Sequence, residues 1–360
     1  MFSPELQSAL LHASSEQDMR DMLFELRATD GLPVILPTRE RVEEMLVAAT
    51  FAGYDSDLLL GELGPNMGEA TVEKVAINAV MAGCRPEQLP VVIAAVAALC
   101  DPRMDIGVIG VTTHPVTPLL IINGPAVQEA GISCGFGALG YGQQANLCIG
   151  RAVRLCLINL GGTWPGHSAM AVLGQPASLT FCLGEDEAAS PFPPLHTSLG
   201  FSASQSVVTV TAQSGPVSVM VPPGLDEADM GERILDVLAL AIANPANNVA
   251  GAGFGTVVVV LNPDHANALH RAGYDRQAIA AELALRAVNP AGLIRRLRGE
   301  AVGDNPDAPF AAISDPGAVL VLVAGGPGVY STVMTPWGGG EHLNPFVSRE
   351  IIFSDSCEIG

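Results

Sequence analysis

The amino-acid sequence predicts an α/β or α+β fold in which mixed sheets are covered by helices. Two observations carry this class. Short apolar runs at 119–122, 256–261 and 318–324 alternate with longer stretches of helical periodicity. The composition also implies an extensive core, because 49% of residues are apolar and only 15% are charged, far from the balance of a disordered chain. At 360 residues the chain exceeds the usual size of one core, so one large or two moderate domains are expected.

The elements follow in order. Across 3–26, Leu6, Leu10, Leu11, Met19, Met22, Leu23 and Leu26 fall at roughly helical spacing and predict an amphipathic helix. Asp30-Gly31 makes a turn, 33–36 a short strand, and Thr38 caps a helix reaching about residue 50. A second helix is expected over 69–82, closed by Gly83, and a third, nearly all apolar, opens at Pro90 and stops at Asp101-Pro102. Strands are expected at 106–112 and 119–122, after which Asn123-Gly124-Pro125 turns into a short helix. A glycine-rich loop over 131–142 feeds a helix over 144–160, ended by Gly161-Gly162, and 180–183 is another strand. The segment 188–200 holds Pro191, Pro193 and Pro194 and is the expected boundary between an N-terminal lobe, 1–190, and a C-terminal lobe, 200–360. In the second lobe 206–212 and 216–221 resemble a hairpin. A helix over 226–243, helices at 263–272 and 275–288, and buried strands at 256–261 and 318–324 complete it.

One internal echo suggests two similar lobes. The run from Leu119 through Asn123-Gly124-Pro125 to Ala130-Gly131 resembles the run from Val257 through Asn262-Pro263 to Ala272-Gly273. A duplicated unit would leave this trace, and so would capping chemistry alone.

Charge excludes two partner classes. A formal net charge of −20 with no cluster of Lys or Arg argues against nucleic acid and against anionic membrane surfaces. The longest apolar stretch, 91–100, is about half a membrane span. The start, Met1-Phe2-Ser3-Pro4-Glu5-Leu6, lacks the basic and apolar regions of a signal peptide, so a cytoplasmic protein is expected. Seven scattered cysteines without a CxxC pair make a poor disulfide framework. The histidines show no HxH, HxxxH or HExxH spacing, so no metal is expected.

The chemistry starts from Lys74, the single lysine among 17 strong cations. Arginine replaces lysine freely on a surface but not where an amine must lose its proton. Lys74 is therefore a candidate base or nucleophile, with Glu73 as proton partner and Asn78, one turn on, as an orienting group. A solvated helix face is the plain alternative. Glu185, with Glu187 beside it, closes the strand at 180–183 and is a second proton-transfer candidate. Arg151 and Arg154, three apart on one helix with Asn146, would clamp a substrate anion or pair with the excess carboxylates. His167, flanked by Gly166 and Ser168, would serve as acid or base. Asn123, Gly325, Gly326 and Ser331 complete the substrate-binding candidates, the last three on a strand that runs into glycines and exposes backbone N–H groups to an anion. The pattern is neither GxGxxG nor a P-loop, and no cofactor is indicated.

Taken together, 30–34, 72–84, Asn123-Gly124-Pro125, 149–154, 159–162 and 324–328 resemble a poorly characterised group of bacterial proteins sometimes found beside UGSC-type (seleno)protein domains. The likeness covers most of the chain. The UGSC tetrapeptide is absent, and Ile132-Ser133-Cys134-Gly135 does not match it. The resemblance implies no defined activity. The residues lead to an enzyme that acts on a small polar or anionic molecule by acid/base hydrolysis or elimination, with a homo-oligomer as the expected assembly. A non-catalytic small-molecule binding or assembly protein is the first alternative. A thiol redox protein, with Cys84 beside Arg85, is the second.

Overall fold

The computed structural model describes residues 6–224, 228–247, 254–299 and 303–353. Helix α1 spans Glu16–Glu25, capped by the Ser15 side chain, and α2 spans Arg39–Phe51. Residues 6–14 are not helical, contrary to the periodicity; the amides of Gln7 and Ser8 donate to the Glu73 carboxylate instead of to a helical turn. Residues 3–5 of that expected helix lie outside the described residues. The stretch 33–36 takes no regular structure and joins no sheet, contrary to the expected strand.

Strands β1 (Leu59–Leu63) and β2 (Gly68–Thr71) pair antiparallel, which corrects the start of the second helix. Helix α3 runs Val72–Ala82, with Thr71 as N-cap and Gly83 as left-handed C-cap. Helix α4 (Leu89–Leu99) is buried almost throughout. The strand expected at 106–112 is instead a short helix, α5 (Ile106–Ile109), whose Ile106 and Ile109 bury one face at i, i+3 spacing.

The remaining elements build two four-stranded sheets. Strand β3 (Thr117–Asn123) is followed by α6 (Ala126–Glu129), α7 (Gln144–Asn159), β4 (Cys182–Gly184), α8 (Leu195–Ser198) and β5 (Val207–Gln213). Strand β6 (Val217–Met220) then precedes α9 (Met230–Ile242), β7 (Val257–Leu261), α10 (Pro263–Arg271) and α11 (Arg276–Arg286). A small hairpin of β8 (Val288–Pro290) and β9 (Pro309–Ala311), with α12 (Ala291–Arg298) between, leads to β10 (Val319–Val323), β11 (Tyr330–Met334) and β12 (Val347–Glu350). Asp226, where the helix of 226–243 was expected to begin, lies outside the described residues.

The first sheet has the order β12-β5-β3-β4 and the second β10-β7-β11-β6. In each, one parallel pair, β3 with β4 and β7 with β10, adjoins antiparallel strands. The two orders match strand for strand. Glu185 N–H donates to Ile122 O at 3.0 Å just as Ala324 N–H donates to Leu261 O at 3.0 Å. The fourth strands are exchanged: after β5 the chain crosses to the second sheet as β6, and after β11 it crosses back as β12. The crossings meet where Gln213 pairs with Pro336 and Ser214 N–H donates to Thr335 O at 2.9 Å. Hence 206–212 and 216–221 form no hairpin with each other, and the sheets do not divide at 190–200. The short turn at 214–216 reads as a hairpin in the sequence because strand chemistry is the same whether the next strand pairs back or crosses over.

Alternation along the strands sets the layers. Leu120 and Ile122 face α3, α4 and α7, while Leu119 and Ile121 face Val258, Val260, Leu320 and Leu322 of the other sheet. Val257, Val259, Val321 and Val323 face α9, α10 and α11. The order is therefore helices, sheet, sheet, helices. Helix α7 lies close on β4 because Gly150 has no side chain; a Cβ there would stand 2.7 Å from Phe181 N. Among the described residues no helix is long and apolar enough to cross a membrane.

Between the sheets, Glu185 is 1% exposed and fully hydrogen-bonded. Oε2 accepts from Asn123 Nδ2 at 2.6 Å and from Leu195 N–H at 2.7 Å; Oε1 accepts from Arg276 at the start of α11 and from Val323 N–H at 3.5 Å. Arg276 also donates to Val321 O and to Pro193 O. Removing one member of such a pair strands the other charge. Arg276→Met should therefore lower unfolding free energy by about 3–5 kcal/mol in urea titrations. Glu185→Leu with Arg276→Met should cost clearly less than Arg276→Met alone; an equal loss would show that the pair is not what joins the sheets.

Candidate active site

Helix α7 sends its two arginines to different tasks. Arg151 grips Asp30 with Nε at 2.7 Å and Nη2 at 2.9 Å. Burial works against ionisation of Asp30, but the Arg151 bonds and charge outweigh it and hold the carboxyl below its ordinary range. Arg154 donates from Nε to Ser178 O and from Nη2 to the Thr117 hydroxyl, both at 2.6 Å. Its Nη1 has no partner and its charge no carboxylate within ion-pair distance among the described residues. In a chain with 37 Asp and Glu, an arginine left without a counter-ion is an uncompensated cost. Burial pushes its pKa down to about 10, opposed by Asp30, so it stays a cation at neutral pH.

Arg154 and Asp30 line a cleft of about 460 Å³ together with His114, Trp164 and Gln175. His114 sits in the turn before β3, its amide donating to Thr112 Oγ1 at 3.2 Å. Its Nδ1 is buried without a partner, and burial holds its pKa below the ordinary histidine value. The ring is thus neutral at pH 7, with Nε2 free of any bond within the described chain and able to accept a proton. A cation and a neutral imidazole that line one mostly apolar cleft are the groups needed to hold an anion and to move a proton on it.

The other expected residues are dispersed. Lys74, Glu73 and Asn78 line a separate groove of about 490 Å³ under residues 6–11. There the Lys74 side chain is 37% exposed, and Nζ donates to Glu69 O at 3.0 Å and lies 3.8 Å from the Glu69 carboxylate. Both Glu73 oxygens are taken by the Gln7 and Ser8 amides, and Asn78 bridges Lys74 O and Asn159. This is the solvated-face arrangement, with no desolvated amine. Asn123 and Glu185 belong to the inter-sheet cluster, where Glu187 accepts from Gly124 N–H at 2.8 Å and lies 3.6 Å from buried His196 Nδ1.

Asn146 staples the glycine-rich loop, exchanging bonds at 2.8 Å with the Ser133 backbone. Gly325 N–H donates to Cys134 O at 2.7 Å, and Gly326 lies under the Phe136 ring, so these glycines serve loop packing. Ser331 is buried against His265 Nδ1 at 2.8 Å. His167 is exposed in the turn whose Trp164 and Pro165 line the cleft, and it does not itself line the cleft. Of the expected set, only Arg154 reaches the cleft, with Arg151 behind it. The sequence does not single out His114 for this cleft, because nothing in its spacing marks a histidine that a turn delivers there.

Among the described residues no three His, Cys, Asp or Glu side chains gather as a metal ion would require. Burial raises all six described thiols, Cys84 most plainly and Cys100 and Cys182 to about 12. The fold is that of a two-sheet, helix-covered protein with a cleft lined by an arginine and a histidine. No protein-family model, curated protein or solved structure matches the chain.

Two outcomes follow. Between the ordinary imidazole pKa and the depressed values of His114 and His265, the unfolded chain binds protons that the folded chain refuses. Stability should therefore be full above about pH 7 and fall as pH drops through roughly 6.5, and His114→Gln should flatten part of that slope in urea titrations. The described thiols should react slowly with a disulfide reagent at pH 7 and rapidly once unfolded; one fast native thiol among them would restore the redox alternative.

Proposed function

We propose that the chain is an enzyme that binds a small organic anion in the Arg154 cleft and acts on it by acid/base chemistry of the hydrolytic or eliminating kind. The observation that carries this reading is the free Nη1 of Arg154, a cation in a cleft whose one lining carboxylate, Asp30, is already held by Arg151. A half-buried charge of this kind costs stability unless a ligand supplies the partner. His114 supports the catalytic half, because its depressed pKa keeps it a base at neutral pH. Asp30 and Arg151 stiffen the wall beside them. The protonated thiols weigh against redox chemistry and suit a cytoplasmic setting. Membership of the UGSC-associated group belongs to the same proposal and adds no reaction to it.

The non-catalytic alternative uses the same cleft without needing His114, so paired substitutions separate the two. Arg154→Met should weaken anion binding by about 10- to 100-fold, the worth of one charge-assisted hydrogen bond at about 1.5–3 kcal/mol, measured by calorimetry after circular dichroism shows an intact fold. His114→Gln should keep binding within a few-fold and abolish turnover. If His114→Gln leaves turnover of a binding anion intact, His114 is not the base.

A further inference from the structure

We infer that the cleft takes a monoanionic carboxylate carrying an apolar, ring-sized body, and not a phosphorylated or sugar-like molecule. This rests on the reading of the Arg154 cleft as the ligand site. Charge gives the first argument. Asp30 in the wall is already neutralised by Arg151, so Arg154 is left with one positive charge to offer one negative charge. With Nε and Nη2 committed to Ser178 O and Thr117, the guanidinium presents a single free nitrogen. A doubly charged phosphate would face that one cation with the Asp30 carboxylate nearby.

The second argument is the spending of polar groups. Thr163 Oγ1 donates to Leu157 O at 2.9 Å, and Ser178 Oγ donates to Gln175 O at 2.6 Å. Gln175 Nε2 donates to Pro115 O and to Gln213 O, which leaves Gln175 Oε1 and the His114 ring as the few unpartnered acceptors of the wall. Sugar hydroxyls would leave water and find few partners there, whereas Ile109, Leu157, Trp164 and Leu179 offer apolar wall.

The rim supplies the third. Between Gly166 (φ 70°) and Gly174 (φ 67°), both without close neighbours, the loop carries Val172 and Leu173 at 77% and 94% exposure. Both side chains border the cleft, and the loop is tied back by Val172 N–H to Thr113 O at 3.0 Å. Apolar side chains held in water at the mouth gain burial only against an apolar ligand.

The test uses the full chain and calorimetry with four probes: 3-phenylpropionate, its neutral amide, glucose 6-phosphate and inorganic phosphate. The carboxylate should bind at least ten times more tightly than the other three. Arg154→Met should abolish the preference over the amide, and Leu173→Asp, on the exposed rim where folding is not at risk, should weaken the carboxylate several-fold. Tighter, Arg154-dependent binding of glucose 6-phosphate or phosphate would overturn the ligand class and leave the cleft reading standing. An unchanged affinity in Leu173→Asp would remove the apolar body from the inference. Failure of all four probes to bind would sink both the inference and the cleft reading.

Discussion

The whole assembly depends on the saturation of one buried carboxylate. Glu185 stands at the end of β4, and its four hydrogen bonds reach the end of β3, the start of α8, the end of β10 and the start of α11. These partners belong to both sheets. A glutamate this deep is tolerable only when each lone pair meets a donor. The position of one sheet on the other is therefore dictated by hydrogen-bond geometry as well as by the apolar contact of β3 with β7 and β10. Apolar faces of valine and leucine slide with little penalty; a saturated carboxylate does not.

Much of the fold was legible because its signals are local. The C-cap Gly83 of α3, the apolar run of β3 and the glycines after α7 each act over a few residues, and each marks a real boundary. The echo between 119–131 and 257–273 is matched by equivalent strands in the two sheets, so it records more than shared capping. What was not legible is set by distant partners. The amides of Gln7 and Ser8 leave the helical pattern because Glu73 is there to receive them. The exchange of β6 and β12 follows from which sheet edge is open, a property of the assembled molecule.

The same division separates the candidate residues. Chemical type pointed to Glu185, Lys74 and the arginines, but type does not say whether a partner will be found. Glu185 found four donors, Lys74 found Glu69, and Arg151 found Asp30. Arg154 is the exception because Ser178 and Thr117 offer it oxygens without charge. His114 acquires its depressed pKa from the walls around it, and neither its neighbours in sequence nor its spacing announce that. A site of this kind is defined by what is left unpaired after folding.

The exchange of strands also has a bearing on synthesis. The first sheet needs residues 347–350 at its β5 edge, so it stays unfinished until a strand that follows every strand of the second sheet has been made. Throughout elongation, β5 carries an open row of backbone donors and acceptors, flanked by the apolar face of β3. A chain at that stage presents a strand edge on which mispairing with other chains can begin, an edge that the finished, closed form hides.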